Sequence, residues 1–97
     1  YAKKAGLDLD SILTTVGAGS AANWSLSNYG PRILASDYTP GFFAKHFLKD
    51  LRIALDSAKN MGISLPATEK AEELYQTMVD EFKLGNDGTQ GLIKIYD

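Results

Sequence analysis

The chain has 97 residues, a formal net charge of -2, 44% hydrophobic and 23% charged residues, and no cysteine. That length holds one small domain and excludes an enzyme with separate cofactor and substrate domains, while the composition is that of a folded protein rather than a disordered one. The lack of cysteine removes disulfides, thiolate nucleophiles and cysteine-based zinc sites, the slightly acidic balance argues against nucleic-acid binding, and no apolar run reaches the ~20 residues of a membrane span.

The start at Tyr1, with Lys3 and Lys4 and no apolar stretch behind them, is not a signal peptide, and the missing initiator Met leads us to expect a piece of a longer protein. Residues 1–5 read as the last turn of a helix: the two lysines suit the negative end of the dipole and Gly6 suits a left-handed cap. Asp8 or Asp10 can cap a short helix through Val16. Ser20 can cap another from Ala21 to about Tyr29, where Gly30-Pro31 breaks or kinks it before a further turn through Leu34. The strongest helix is predicted from about Phe42 to Met61, closed by Gly62, with Phe43, Phe47, Leu51, Ala54, Leu55 and Ala58 on one face. A second long helix is predicted from Pro66 to about Leu84, with Ala67, Ala71, Leu74, Met78 and Phe82 as its stripe. A short helix from Thr89 to Tyr96 follows a Gly-rich turn. The expected fold is all-α: a single helical domain of about five to six helices, two of them long (about 42–61 and 66–84).

One motif is a decoy. Ile12 to Val16, followed by Gly17-Ala18-Gly19-Ser20-Ala21-Ala22, matches the G-x-G-x-x-[G/A] dinucleotide fingerprint, and Asp37 lies where an acid for a ribose would stand. Asp8, Asp10 and Ser11 before the would-be strand suit a helix start better, and the two long helices that follow leave no parallel sheet to assemble. The glycines are expected to let two short helices turn sharply and pack closely.

Opposite its core stripe, the first long helix carries Phe42, His46, Lys49, Ile53, Asp56 and Asn60 within a narrow sector. Two readings stay open: a solvated face with two stray apolar residues, or a second interface covered by a domain, a subunit or a ligand. His46 is the one histidine, with no second ligand at metal spacing and no legible triad, so no metal site and no role are assigned to it. Lys49 and Asp50 point about 100° apart on a helix and are not automatically a pair.

Pro40-Gly41-Phe42, followed by Lys49-Asp50-Leu51 with Ala54 and Asp56 on the same helix, resembles the signature of the β-hydroxyacid dehydrogenases. That family includes 3-hydroxyisobutyrate dehydrogenase, tartronate semialdehyde reductase and the glyoxylate/succinic semialdehyde reductases. Gly6-Leu7-Asp8, the Gly-Ala-Gly-Ser turn before Trp24, Asn28 to Pro31, Leu65-Pro66 and the Gly85 to Gly91 turn with Asp87 agree in order and spacing. Gly91 departs from the pattern, standing where a small residue such as alanine is commoner.

The resemblance implies the helical C-terminal domain of such an enzyme, like that of 6-phosphogluconate-dehydrogenase-like proteins. It closes the substrate cleft and builds an oligomer interface. An N-terminal Rossmann domain, outside this chain, would bind NAD or NADP, and the catalytic lysine would lie just before residues 1–5. No catalytic residue is then expected here and the chain alone would be inactive. By the same resemblance Phe42 lines the cofactor and substrate cleft, Lys49 reaches the cofactor and Asp50 orders the site beside it. The substrate would be a small hydroxy acid or the matching semialdehyde, the assembly a homo-oligomer and the location cytoplasmic, with no nucleic acid and no membrane as partners. The alternative is a stand-alone helical module that dimerises or binds another protein without enzymatic activity.

Overall fold

A computed structural model describes residues 1–96 and divides the chain into two compact units, Tyr1–Asp37 and Tyr38–Asp97. Both are helical; among the described residues the β pairing amounts to one isolated antiparallel bridge between Phe43 and Gly88. No helix among them is long and apolar enough to cross a membrane.

The first unit opens with a turn that ends as helices end. Gly6 N–H donates to Lys3 O at 3.2 Å and Leu7 N–H to Ala2 O at 3.0 Å, with Gly6 at φ +72°. This is the paired bonding of a Schellman stop, and Gly6 takes the left-handed position without steric penalty. Helix α1 (Leu9–Gly17) starts at Asp8, whose carboxylate accepts from Ser11 N–H at 3.0 Å. The decoy motif is therefore helix and turn. Helix α2 (Trp24–Leu34) is capped not by Ser20 but by Asn23, which accepts from Leu26 N–H at 2.8 Å. Asn23 stands in the extended conformation that capping needs, and its side chain also donates to Ala21 O at 3.0 Å. Pro31 does not break α2, which runs through it to Leu34. Leu13 of α1 seats directly on the backbone of the buried Gly30.

In the second unit, α3 (Ala44–Asn60) and α4 (Pro66–Gln76) pack against each other, tied by an ion pair of 3.0 Å between Arg52 Nε and Glu72 Oε1. Gly62, at φ +72°, closes α3 with a second Schellman stop: Gly62 N–H donates to Lys59 O at 3.1 Å and Ile63 N–H to Ala58 O at 2.9 Å. Pro66 opens α4 at a position where its missing N–H leaves nothing unsatisfied. Two expectations about α3 need correction. It begins at Ala44 rather than Phe42, because Phe43 is extended and serves as the N-cap position. The buried face is centred on Ala44, Leu48 and Ala58, with Phe47, Leu51 and Leu55 beside them, while Phe43 and Ala54 are exposed. A residue outside the helix does not follow its 100° step, so counting from Phe43 turned the stripe by less than half of one residue's step, and Phe47, Leu51, Leu55 and Ala58 stay on it.

The second long helix is also not uniform. After Gln76 the chain winds into a π-helical segment, Thr77–Glu81, in which Phe82 N–H donates to Thr77 O at 3.2 Å. Met78, in this segment, is wholly buried, whereas Ala67 and Phe82 of the expected stripe are exposed. Lys83 then takes φ +58°, and Leu84 N–H returns to Met78 O at 3.1 Å. A lysine in the left-handed region costs roughly 1–2 kcal/mol against an ordinary backbone. Lys83→Gly should therefore stabilise the protein by about 0.5–1 kcal/mol, read as a higher urea midpoint at unchanged m-value. A lower midpoint would show that the lysine side chain contributes more than its backbone strain. A 3₁₀ helix, Thr89–Tyr96, completes the described chain, with Gln90 and Gly91 buried.

Candidate functional site

The segment from Tyr38 to Phe43 has no helix of its own, and its position comes from the Gly85–Gly91 turn. Gly88 N–H donates to Tyr38 O at 2.8 Å, the Gln90 side-chain amide to Thr39 O at 3.0 Å and Thr89 N–H to Phe42 O at 3.1 Å. In return Ala44 N–H donates to Asp87 O at 2.9 Å and Lys45 N–H to Gly85 O at 3.0 Å. The turn is braced by Lys94, whose ammonium lies 2.6 Å from Asp87 Oδ2 and 4.2 Å from the centre of the Tyr38 ring.

This wiring has an electrostatic consequence. The N-terminus of a long helix is a ready anion site only while its first amides are free. Here the first two amides of α3 are already engaged by the turn. An anion approaching this end must be met by side chains.

Phe42 is left 42% exposed, its ring edge-on to Phe47 at 6.3 Å between centroids. Phe47 in turn stands edge-on to Tyr75 at 4.8 Å. Phe43, 38% exposed, packs instead against His46 at 5.5 Å, with the Lys45 ammonium 5.4 Å from its ring centre. His46 thus supports an aromatic ring at the helix start. Among the described residues no group of three His, Cys, Asp or Glu side chains could hold a metal ion.

Lys49 lies further along α3 on the exposed side, with Ile53, Asp56 and Asn60. Five residues of α3 separate it from Ala44, about 7.5 Å of helix rise. Its Nζ is 3.5 Å from Asp50 Oδ1, and both side chains are well exposed, at 62% and 48%. The expected sharing of one helix face by Phe42 and Lys49 does not hold as drawn: Phe42 precedes α3 and leans toward Phe47. What holds is that Phe42, Lys49 and Ile53 are all uncovered. Ile53 is 59% exposed. The structure brings Lys49 and Asp50 together and places Phe42 at the near end of the same helix.

The Gly85–Gly91 turn acts as a strap across the segment before α3; Gln90, Lys94 and Asp87 in and behind it, with Tyr75 bonded to Thr89 O, carry this arrangement, and sequence reasoning gave only Asp87 any notice. A signal was available in Gln90, a polar side chain in a turn flanked by glycines, but nothing in one sequence says that it faces inward. An open groove of about 490 Å³ lies toward the other end of α3, lined by Leu55, Asp56, Lys59, Ile63, Leu65 and Glu69 among others. Its charges are of mixed sign and include no nucleophile–base pair.

Comparison with known proteins places the chain, by sequence and by fold. The family model described as "NAD-binding of NADP-dependent 3-hydroxyisobutyrate dehydrogenase" matches residues 1–96. An uncharacterized oxidoreductase, YkwC, of Bacillus subtilis is 41% identical over 96 residues, covering 99% of this chain and 33% of that protein. A probable mitochondrial 3-hydroxyisobutyrate dehydrogenase-like protein of Arabidopsis thaliana is 42% identical over 93 residues, covering 96% of this chain and 28% of its own. The crystal structure of a 3-hydroxyisobutyrate dehydrogenase (ygbJ) from Salmonella typhimurium superimposes with a TM-score of 0.89 at 29% identity, over 97% of this chain and 33% of that one. The chain spans about a third of the length of these relatives. Its helices, its matched length and its similarity to these proteins together establish that the chain belongs to the NAD(P)-dependent 3-hydroxyisobutyrate dehydrogenase family.

Proposed function

We propose that residues 1–97 are the helical C-terminal domain of an NAD(P)-dependent β-hydroxyacid dehydrogenase. The parent enzyme oxidises a small 3-hydroxy acid or reduces the matching semialdehyde, and this domain closes the cleft and joins subunits. The observation that supports this most is that Lys49 and Ile53 on α3, and Phe42 in the segment just before it, stand exposed within a chain that matches its family along its whole described length. An apolar side chain and a cation left open on a helix that is well packed on its other face, with an exposed aromatic ring just ahead of it, suit a surface that a neighbouring domain covers.

The residues present fit the outer wall of a dinucleotide site and not its phosphate cradle. The first amides of α3 are engaged by the carbonyls of Asp87 and Gly85, so the start of this helix offers no run of free backbone donors to a pyrophosphate. The exposed Lys49 ammonium and the exposed Phe42 ring suit a single charge contact and an apolar wall. The phosphate cradle, the ribose site and the catalytic lysine are assigned to the rest of the parent enzyme, which makes this chain inactive by itself.

Bound NAD or NADP supplies the carrier for hydride exchange with the substrate carbon. Lys49 directs positive charge at a cofactor or substrate oxygen. Asp50, at 3.5 Å, restrains that ammonium near the helix surface. Phe42 walls the cleft and keeps water from the reacting atoms. In the complete enzyme Lys49→Ala is expected to raise the cofactor or substrate KM about tenfold, the loss of one charge-assisted contact. The melting temperature should stay near the parent value, because an exposed ion pair contributes only about 0–1 kcal/mol. Unchanged kinetics would remove Lys49 from the site.

A further inference from the structure

Phe42 sits at a bend in the non-helical segment before α3 and is too exposed for its own packing to fix it. Its position is set by a closed circuit of contacts. The Phe42 ring meets Phe47 at 6.3 Å and Phe47 meets Tyr75 at 4.8 Å. The Tyr75 hydroxyl donates to Thr89 O at 3.0 Å, and Thr89 N–H donates to Phe42 O at 3.1 Å, which returns to the starting residue. Three residues upstream, Gln90 donates to Thr39 O at 3.0 Å and holds the approach to Phe42 from the other side. Gln90 is only 6% exposed.

A buried amide and a half-buried phenol in a small domain are costly to keep unless their hydrogen bonds are used. Gln90 uses its Nε2 on the carbonyl of Thr39, in the segment that carries Phe42, and Tyr75 uses its hydroxyl on the carbonyl of Thr89, whose own N–H holds Phe42 O. Neither group is charged, and neither belongs to the exposed side of α3.

We propose that Tyr75 and Gln90 are positioning residues. They set where the Phe42 ring stands and thereby how tightly the parent enzyme holds its dinucleotide. The proposal rests on Phe42 being the cleft wall described above. One polar atom anchored to the main chain just before Phe42 and one anchored to the Thr89 peptide that holds Phe42 O restrict its ring to one placement before the cofactor arrives. Ordering that would otherwise be charged to binding is then complete in the free enzyme.

The test is a pair of double-mutant cycles in the full-length parent enzyme. NADH and NADPH are titrated calorimetrically, and the dissociation constant of the tighter one is followed. Phe42→Ala should weaken it about tenfold, the loss of an aromatic contact. Tyr75→Phe, which keeps the ring and removes the hydroxyl, should weaken it about threefold, and Gln90→Met about fivefold, each a lost hydrogen bond. In the Phe42→Ala background both effects should vanish, because the ring they position is gone. Amide exchange at Thr89 should also quicken in Tyr75→Phe.

Effects that multiply with Phe42→Ala would overturn the positioning role, as would a lower melting temperature at unchanged dissociation constant. Phe42→Ala weakening binding while Tyr75→Phe and Gln90→Met bind normally overturns positioning and leaves the cleft reading standing. Phe42→Ala with unchanged binding overturns the cleft reading and the positioning role with it. Should Gln90→Met not fold, the Tyr75→Phe cycle decides alone, since that change preserves shape.

Discussion

Met78→Ala is expected to be the most destabilising single change in the second unit, at about 2–5 kcal/mol. Met78 is 0% exposed and is the largest wholly buried side chain among the described residues. Its Cε would stand 3.1 Å from a Cβ built on Gly91, so it fills the space between the π segment and the 3₁₀ helix. Truncation opens a cavity that the buried Gly91 has no side chain to refill. A domain of this size has only about 5–15 kcal/mol of total stability, so the loss should appear as a large drop in melting temperature. Met78→Leu, which nearly conserves volume, should cost less than about 1.5 kcal/mol. Equal losses for the two variants would mean that the site needs the shape of methionine rather than its bulk.

Gly88→Ala should follow, at about 1–3 kcal/mol. A Cβ there would lie 2.8 Å from Gln90 Cδ and 2.9 Å from its Nε2, and closer still to Oε1. The end of a glutamine can normally swing aside, but this one is buried and pinned to Thr39 O. Moving it breaks that bond and loosens the strap that holds the start of α3. The double variant Gly88→Ala/Gln90→Ala should recover part of the loss, because the clash disappears with the side chain. Chemical unfolding of the two single variants and the double variant measures this coupling. Strictly additive losses would show that Gly88 is needed for something other than Gln90.

The candidate site was legible unevenly. Lys49-Asp50 stood out as a motif, and the structure gives the pair a contact of 3.5 Å that spacing alone did not require. Long side chains bridge the 100° step between adjacent helical residues by bending toward each other at the surface. Phe42 was found by the resemblance, but its neighbours were not. Its contacts come from Phe47, Thr89 and, through them, Tyr75, and these lie up to 47 positions away in the chain. No local periodicity encodes a hydrogen bond between a tyrosine on one helix and a carbonyl at the start of another.

Helix ends show the same division. The stops at Gly6 and Gly62 were readable, because only glycine enters the left-handed region without penalty. Ser36 and Lys83 also occupy that region, at φ +54° and +58°, and composition gives no sign of it. At Ser36 the amides of Ser36 and Asp37 donate to Ile33 O and Arg32 O at 3.0 and 2.8 Å, so bonding holds a conformation that the residue itself disfavours.

The sequence by itself determined the helical class, a first cap at Asp8 or Asp10, the closure of α3 at Gly62 and the opening of α4 at Pro66, because these depend on backbone propensity and on bonds within one turn. It also carried the family signature across nearly the whole chain. Tertiary structure decided the rest. Phe43 left the helix because the turn at residues 85–88 bonds to the amides and carbonyls around it. The buried face of α3 then centred on Ala44 and Leu48. The second long helix changed to π winding where Met78 enters the core. Each of these is a choice between local conformations of similar energy, and long-range hydrogen bonds and close packing are what separate them.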